Sequence, residues 1–526
     1  MTNAVEELEA AQTILIVGSN TTATHPLVAW RIFTARERGA KLIVIDPRKT
    51  HIARFADLYL AERPGTDVAV INGLLHIIIK EGLYDEEFVR SRTEGFEALK
   101  KLVEEYPPER VEEISGVRPE QLRQAAEMYA KSAASSIVYC MGITQHTVGV
   151  DNVLALADLA MVTGQIGKPS SGVNPLRGQN NVQGSTDMAA IPTALPGYQS
   201  LADDAVVAKF EKAWGVTLSR KPGITLMEMM DAAEHGTLKA LYVMGENPLV
   251  SDPDVAHVKK ALAKLDLLIV QDIFPTETTA LAHVVLPAVT FAEKDGTFVS
   301  TDRRIQRVRK AIEPLGDSRP DWRIICDVAK ALGATGFDYA SPEEVFAEIA
   351  SLTPLYAGVD YERIRENGIQ WPCRTKEDPG TAFLHKGAFT KGLGSLKPIA
   401  YKPPAELPDA EFPLVLMTGR DPFHYHTGTM TRRSRRLTDQ LNSCYVQINP
   451  ADARSMGIRS GDMARIESRR GAIEAEARVT KTVPEGAVFV PFHFAEAAAN
   501  VLTNPALDPV VKIPEYKVCA VRVEAA

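Results

Sequence analysis

The chain is poor in cysteine and has no long apolar run, and both shortages exclude whole classes of protein. Its cysteines stand far apart without a C-x-x-C pair, so neither a zinc ribbon nor an iron–sulfur motif can be read from them. The most apolar stretch, residues 68–79, is too short and too polar to span a bilayer. The acidic start contains no apolar signal core. We therefore expect a cytoplasmic protein with reduced cysteines, at Cys140, Cys326, Cys373, Cys444 and Cys519.

An excess of basic residues is also missing. The formal net charge is −8, which argues against a nucleic-acid partner. The one dense basic cluster, residues 431–436, is interpreted as a solvated face or a phosphate contact. Hydrophobic residues make up 45% and charged residues 24% of the chain, as in ordinary globular proteins. At 526 residues, the chain is long enough for roughly two to four domains.

Short apolar runs alternate with helical patterns along the first 340 residues. Each apolar run stops at Gly, Pro or a polar residue, which is typical of buried parallel strands. The predicted strands are 13–18, 41–46, 136–141, 240–245, 267–272 and 284–287. The predicted helices are 26–38, 69–80, 119–131, 152–163 and 256–265. This alternation predicts an α/β fold with two doubly wound α/β domains.

The pattern changes in the last third of the chain. Residues 341–404 are rich in Pro and Gly and are predicted to be irregular, with a domain boundary among them. Short β runs separated by Gly and Pro follow at 414–418, 445–448, 464–468, 473–479 and 487–490. Strands at this spacing favour a small β-barrel of about six strands.

Turn residues that suit a nucleotide follow the first two predicted strands. Gly18 and Asn20 follow the first strand, and Asp46 and Arg48 follow the second. Ligands bind α/β sheets at these carboxyl ends, where glycine admits a phosphate and Asp46 accepts ribose hydroxyls. The chain has no G-x-G-x-x-G there, so an ordinary NAD pocket is not supported. Plain turn chemistry is the alternative.

The second α/β region repeats this arrangement. Gly245, Glu246 and Asn247 follow one predicted strand, and Gln271 and Asp272 end the next. The repetition predicts two nucleotide-bearing ligands, or one ligand with two such ends. Gln271 and Asp272 are equally compatible with ordinary turn residues.

The loop at residues 174–184 is the most informative stretch. It reads NPLRGQNNVQG, with one arginine among glycines and carboxamides. Glycine lets the backbone approach a ligand, and the Arg177 guanidinium forms a planar fork suited to a carboxylate or phosphate. The alternative is a solvated loop with one surface arginine.

Several motifs resemble the catalytic subunit of molybdenum- or tungsten-dependent formate dehydrogenases. They are MGITQH at 141–146, LADLAMVTGQIGKP at 156–169, GVNPLRGQNNVQGSTD at 172–187, MGENP at 244–248, VQDIF at 270–274 and PEYKVC at 514–519. The resemblance runs nearly end to end. It implies one metal held between two molybdopterin guanine dinucleotides, one in each α/β domain, with a C-terminal barrel capping both.

The resemblance also assigns domains and cofactor contacts. It implies a first dinucleotide-binding domain at 1–179, a second at 180–340 that is incomplete without upstream residues, a linker at 341–404 and a barrel cap at 405–526. The first dinucleotide would contact Gly18, Asn20, Asp46, Arg48, Gly65, Asp67, Met141, Gly142 and Gln145, with Gly178 and Gln179 beside it. The second would contact Gly245, Glu246, Asn247, Gln271 and Asp272. The cap would add Thr418, Gly419, Arg420, His424, Thr427, Asn500 and Lys517, of which Arg420 and Lys517 could neutralise pyrophosphate.

By the same resemblance, Arg177 is the catalytic residue that holds formate. Formate has little surface to bury, so its binding depends mainly on charge and hydrogen bonds. The resemblance implies oxidation to carbon dioxide, with two electrons passing from the metal to an iron–sulfur relay. His146 lies near this region in sequence and is either a structural histidine or a proton-transferring contact.

Part of the family's pattern is absent from these residues. The resemblance places a [4Fe–4S] cluster and the cysteine or selenocysteine metal ligand upstream of Met1. We expect either a reading frame that continues upstream through a selenocysteine codon or a naturally split enzyme. The isolated chain is then expected to be inactive and to need that upstream segment. Iron–sulfur or flavin subunits would be its electron-transfer partners.

Two other readings stay open. One is another reaction of the same superfamily, such as nitrate reduction, which the N-P-L-R-G-Q-N-N run disfavours. The other is a non-catalytic scaffold that binds pterin or partner subunits. Metal and pterin analysis separates the scaffold from the two enzymes. Assays with formate and with nitrate separate the two enzyme activities.

Overall fold

The computed structural model describes residues 1–526 and shows strands and helices alternating over the first two thirds of the chain. The strands are β1 (Thr13–Val17), β2 (Lys41–Ile45), β3 (Leu58–Leu60), β4 (Thr93–Glu94), β5 (Ser135–Tyr139), β6 (Gly172–Pro175), β7 (Ala194–Leu195), β8 (Gln199–Ser200), β9 (Ala240–Met244), β10 (Leu267–Asp272), β11 (Val284–Pro287), β12 (Gly296–Val299), β13 (Arg304–Val308), β14 (Ile369–Gln370), β15 (Gly394–Ser395), β16 (Leu414–Gly419), β17 (Tyr445–Ile448), β18 (Met463–Glu467), β19 (Ala472–Val479), β20 (Ala487–Pro491) and β21 (Cys519–Ala525).

The helices fill the intervals between these strands. They are α1 (Thr21–Thr24), α2 (Pro26–Glu37), α3 (Asp67–Lys80), α4 (Glu86–Arg92), α5 (Phe96–Val103), α6 (Pro108–Ser115), α7 (Pro119–Ala130), α8 (Met141–Thr144), α9 (Gly149–Val162), α10 (Val182–Asp187), α11 (Asp204–Trp214), α12 (Leu226–Glu234), α13 (Pro248–Ser251), α14 (Val255–Leu262), α15 (Asp321–Ala331), α16 (Pro342–Leu352), α17 (Arg435–Thr438) and α18 (Pro450–Ser455). Helices α2, α6, α7, α16 and α18 begin with Pro, whose fixed φ suits the first turn and whose missing N–H is no loss there.

The chain folds into two units. Unit 1 comprises residues 1–178, 250–255 and 383–526, and unit 2 comprises residues 179–249 and 256–382. Unit 1 contains a parallel five-stranded sheet in the order β3-β2-β1-β5-β6. Alternate side chains of β1 point to opposite faces, so Leu15 joins one buried cluster and Ile14 joins another. Both faces of the sheet are therefore covered, as a doubly wound arrangement requires.

The C-terminal part of unit 1 is a closed barrel. Its strands pair in the order β16-β20-β17-β19-β18-β21, and closure leaves no free edge. The core of the barrel includes Leu416, Val446, Ile466 and Val488, none of which is exposed. The sixth strand, β21, comes from the last residues of the chain and pairs antiparallel with both β16 and β18.

Unit 2 has a smaller parallel sheet with the order β11-β10-β9. Helices α12 and α14 cover one face, where Val243, Leu268 and Val270 are buried. The other face presents Tyr242, which pairs in register with Ile269 of β10 and is 37% exposed. Met244 is 51% exposed, so this face of the sheet is apolar and open to solvent.

A second cluster of unit 2 surrounds the antiparallel strands β12, β13 and β14. Phe346 of α16 packs there beside Tyr356 and Tyr361. The sequence predicted irregular structure for residues 341–404, but the structure contains helix α16 at the start of that stretch. The amphipathic spacing of its apolar residues was hidden by the Pro- and Gly-rich sequence that follows.

The predicted fold class is confirmed: the chain is mixed α/β with a closed six-stranded barrel at its C-terminal end. The predicted domain bounds stay predictions, and the structure groups the barrel with the first α/β sheet. No helix of the structure is both long and apolar enough to cross a membrane.

Candidate functional site

A cavity in unit 1 lies at the carboxyl edge of the five-stranded sheet. Gly18 follows β1, Asp46 follows β2 and Met141 begins α8 just after β5, so three neighbouring strands deliver their turns to one place. The barrel supplies the opposite wall from the end of β16 and the approach to β21. Thirteen residues singled out from the sequence line it: Gly18, Asn20, Asp46, Arg48, Gly65, Asp67, Met141, Gly142, His146, Thr418, Gly419, Arg420 and Lys517.

Two glycines cross at the base of this cavity. Gly18 has φ +55°, and the Gly142 N–H donates to the Gly18 carbonyl over 3.1 Å. A Cβ atom added to Gly142 would lie 2.5 Å from the Gly18 oxygen. Only residues without side chains allow this approach, which brings the turn after β1 against helix α8.

Arg48 crosses from the α/β sheet to the barrel. Its guanidinium lies 3.3 Å from the centre of the Phe489 ring and donates to the Gln447 side chain over 3.1 Å. Its backbone N–H donates to the Asp46 carboxylate over 2.9 Å. The Arg48 Nε atom is buried and has no hydrogen-bond partner.

Two further cations come from the barrel. Lys517 donates from Nζ to the Thr418 carbonyl over 2.8 Å, and Arg420 donates from Nη1 to the Gly178 carbonyl over 2.5 Å. The other terminal nitrogen of Arg420, Nη2, is buried without a partner. The cavity thus has a cationic wall that the protein does not fully neutralise, which favours an anionic ligand.

Enclosure by protein shifts the proton equilibria of this wall. Burial, and then the charge of Arg420, lowers the pKa of Lys517 to about 7. Burial raises the pKa of Asp46 to about 6, although the Arg48 N–H and charge act in the opposite direction. Both groups thus titrate within reach of neutral pH, and an added anion would favour the charged lysine.

The Arg177 loop is fixed to the same unit by its backbone. The Leu176 N–H donates to the Tyr139 carbonyl over 2.8 Å, and the His25 Nε2 atom lies 2.6 Å from the Arg177 carbonyl oxygen. Arg177 is not among the residues that line the cavity, but the next residue, Gly178, contacts both Arg420 and the end of the Met141 side chain.

Unit 2 brings its predicted nucleotide residues to one edge of its own sheet. Gly245 has φ +64° with open space around it, and its N–H donates to the Gln271 carbonyl over 2.8 Å. The Asn247 side chain accepts from the Thr278 hydroxyl over 2.7 Å and so contacts the segment between β10 and β11. Asp272 accepts from the N–H of Ile273 over 2.6 Å. The Glu246 side chain accepts from the N–H of Asn247 over 3.0 Å. Local hydrogen bonds thus hold the chain where β9 and β10 end.

Several residues predicted as cofactor contacts do not line the cavity of unit 1. His424 is buried against His493 and Phe494, with its Nε2 atom 2.6 Å from the Leu441 carbonyl. Asn500 donates to the carbonyls of residues 250 and 251. Gln145, Gly178, Gln179 and Thr427 also lie outside that lining, as do the predicted contacts of unit 2.

Sequence reasoning missed part of the cavity wall. Cys140, interpreted from sequence as an ordinary strand residue, follows the end of β5 and lines the cavity. Phe492 follows β20 in the same way. The strand-end rule could have found both, because each comes directly after a strand. The remaining missed wall residues are Thr24, Pro47, Thr50, Pro64 and Met417.

Comparison with protein families matches most of the chain. Residues 1–331 match the family described as Molybdopterin oxidoreductase. The chain belongs to this family. Residues 414–520, which span most of the barrel, match the Molydopterin dinucleotide binding domain. The α/β part and the barrel thus match two families that are both described by the same cofactor.

Formate dehydrogenases are among the similar curated proteins. The chain is 52% identical to F420-dependent formate dehydrogenase 1 subunit alpha of Methanococcus maripaludis, over 100% of the chain and 78% of that protein. It is 42% identical to formate dehydrogenase H of Escherichia coli, over 100% of the chain and 74% of that protein. The assimilatory nitrate reductase catalytic subunit of Bacillus subtilis is 37% identical, over 99% of the chain and 76% of that protein.

Among solved structures, acetylene hydratase from Pelobacter acetylenicus has a similar fold. The TM-score is 0.75 at 21% identity, and the match covers 100% of this chain and 81% of that one. At this identity, the likeness concerns the fold alone.

The residues of the cavity fit a molybdopterin dinucleotide. Such a ligand carries a pyrophosphate and a polar base, and the wall offers cations together with buried polar atoms that lack partners. These atoms are Arg48 Nε, Thr50 Oγ1 and Arg420 Nη2. The crossing of Gly18 and Gly142 adds backbone that a ligand can approach closely.

Proposed function

We propose that this chain is the catalytic, alpha-subunit part of a molybdenum- or tungsten-dependent formate dehydrogenase. The observation that carries the proposal is the backbone on either side of Arg177: the Leu176 carbonyl accepts from Cys140 Sγ and the Gly178 carbonyl accepts from Arg420, and both Cys140 and Arg420 line the anion-suited cavity. Identities of 42% to 52% with formate dehydrogenases over the whole chain support it.

We infer that unit 1 holds one guanine dinucleotide of a bis-dinucleotide cofactor. Arg420 and Lys517 would neutralise its pyrophosphate, and Asp46 and Arg48 would contact its ribose and base end. Asn20, Gly65, Asp67, Met141, Gln145, Gly178, Gln179 and Thr418 belong to the same proposed set, with Gly18, Gly142, Gly419, His424, Thr427 and Asn500. The edge at Gly245, Glu246, Asn247, Gln271 and Asp272 would hold the second.

The chemistry assigned to Arg177 follows from its side chain. A guanidinium binds a carboxylate through two parallel hydrogen bonds, which orient formate as well as attract it. Formate has almost no surface to bury. Its orientation therefore contributes more to catalysis than its buried contact area does. The bound metal would accept the two electrons as formate becomes carbon dioxide.

Substitution of Arg177 tests the proposal. Arg177→Lys keeps the charge but removes the fork, so we expect formate kcat/KM in the holoenzyme to fall by about tenfold or more. Arg436→Lys is the matched control, since Arg436 is exposed. Unchanged formate oxidation in Arg177→Lys would contradict the proposed role.

Nitrate reduction is the rival activity, because a nitrate reductase is among the similar proteins. Steady-state assays of one holoenzyme preparation with formate and with nitrate separate the two. We expect turnover with formate and none with nitrate. The reverse result would favour the rival.

We further propose that electrons leave through an iron–sulfur relay outside this chain and that partner subunits receive them. The chain covers 74% to 78% of the formate dehydrogenases to which it is 42% to 52% identical, and its five cysteines are all free thiols. We expect the chain purified alone to give no formate-dependent dye reduction. Dye reduction above a cofactor-free control would contradict this expectation.

A further inference from the structure

Glu62 is a buried carboxyl group to which the proposed function gives no role. Glu62 is 2% exposed, and no N–H group or hydroxyl group of the protein donates a hydrogen bond to either carboxyl oxygen. It is also not part of the cavity wall. An ionised carboxylate without partners is costly inside a protein, so Glu62 needs either a proton or a cation.

A tight turn brings Glu62 next to Asp67. The Thr66 N–H donates to the Arg63 carbonyl over 3.3 Å, and the Thr66 hydroxyl donates to the same oxygen over 2.7 Å. Gly65, the third residue of this turn, has φ +79°, as a type II turn requires. Because a turn reverses the chain, the residues directly before and after it lie close together. Glu62 and Asp67 are these two residues.

The carboxyl groups of Glu62 and Asp67 interact directly, and a hydrogen bond between two carboxyl groups requires one proton. Burial, and then the charge of Asp67, raises the pKa of Glu62 well above its ordinary value. Burial also raises the pKa of Asp67, but the hydrogen bond from Glu62 acts in the opposite direction. The proton therefore belongs on Glu62, and Asp67 is the acceptor.

No permanent cation replaces that proton. The groups that face the pair are Asp46, His146, Tyr59 and Tyr401. The cations of the cavity wall act on Asp46 instead. Asp67, which is 4% exposed, lines the cavity at the first turn of α3, so its carboxylate is the member of the pair that a ligand can reach.

We propose that Glu62 is a positioning residue that keeps its proton and donates it to Asp67, fixing Asp67 as an anionic acceptor aimed at the cavity. This inference rests on the proposed function, because it assumes a guanine base at this end of the cavity. A fixed carboxylate accepts the two adjacent N–H groups of guanine, whereas adenine offers no such pair.

Two substitutions separate this role from simple packing. Glu62→Gln still donates a hydrogen bond to Asp67, and Glu62→Leu does not. We expect GDP, measured by calorimetry on the purified chain at neutral pH, to bind wild type and Glu62→Gln alike. We expect about tenfold weaker binding to Glu62→Leu, from the loss of one charge-assisted bond. ADP binding is expected to be weak and equal in all three.

A second measurement needs no ligand. Infrared difference spectra of wild type minus Glu62→Gln should show the carbonyl stretch of a protonated carboxylic acid at pH 7.5. Absence of that band, or equal GDP binding by wild type and Glu62→Leu, would overturn the proposal. GDP binding by none of the proteins, with the band present, would count against the proposed function and leave the role of Glu62 standing.

Discussion

At the scale of single residues, Lys517 shows most directly how the fold changes the chemistry of a side chain. Its ammonium group faces a cavity beside Arg420 and Arg48, and its pKa falls to about 7. A lysine whose folded pKa lies below the unfolded value of 10.5 penalises folding where it must stay charged. The penalty is full below about pH 7 and disappears as the pH rises toward 10.5.

Removal of this amine should therefore stabilise the ligand-free chain. We expect Lys517→Met to raise the melting temperature at pH 6–7, by about 1 °C for each kcal/mol gained, with the gain shrinking at higher pH. Thermal unfolding over a pH series measures it, and Lys481→Met, at an exposed site, is the control. A gain that grows with pH would contradict the assigned pKa.

Residue identity alone indicated part of this site. The turns after β1 and β2 pointed to Gly18, Asp46 and Arg48, since glycine, carboxylate and guanidinium at strand ends suit a nucleotide. Burial could not be predicted in the same way. The orphaned nitrogen of Arg420 depends on contacts between segments hundreds of residues apart, and the proton on Glu62 depends on burial in the folded protein.

At the scale of elements, the crossing of the β1 turn and helix α8 is a close backbone contact at the site. We expect Gly142→Ala to disrupt it, because the new methyl group would meet the Gly18 backbone, and overpacking costs typically about 1–3 kcal/mol. Gly296→Ala is the matched control, since its Cβ would enter open space. Denaturant unfolding and GDP binding measure the effect. Equal losses of stability and of GDP binding in Gly142→Ala and Gly296→Ala would contradict this expectation.

Strands and helices were predictable from sequence where their apolar periods were strong. Strands β1, β2 and β9 lie within a residue of their predicted bounds, since each is an apolar run that ends at a turn residue. Helices α4, α5 and α6 were missed, because they are short and mostly charged and only a few of their side chains are buried. Their stability comes from packing, which the sequence pattern does not display.

At the scale of the whole molecule, the open sheet face of unit 2 is the main departure from an ordinary α/β protein. Parallel sheets are normally covered on both faces, yet Tyr242, Met244, Leu267 and Val284 are between 37% and 51% exposed. Among the strands, β9 and β11 each pair only with β10, so the edge at β9 has no strand beside it, whereas the Arg319 N–H donates to the Pro287 carbonyl at the end of β11.

We expect this face to make the purified chain self-associate and bind apolar dyes. The double substitution Met244→Lys and Val284→Lys should lower both, without lowering the melting temperature, because the side chains are already exposed. Leu332→Lys, at a site that is 83% exposed at the end of α15, is the control. Light scattering and dye fluorescence measure the outcome. If the double variant still self-associates, the open sheet face of unit 2 is not the surface that causes association.

The discontinuity of unit 1 has a consequence for the order of biosynthesis. Gly18 and Asp46 line its cavity from the α/β sheet, and Lys517 lines it from a segment that is translated almost 500 residues after Gly18. The cavity therefore stays open on the barrel side until the barrel has been synthesised. An anion that needs both walls should bind the nascent sheet only weakly before that point.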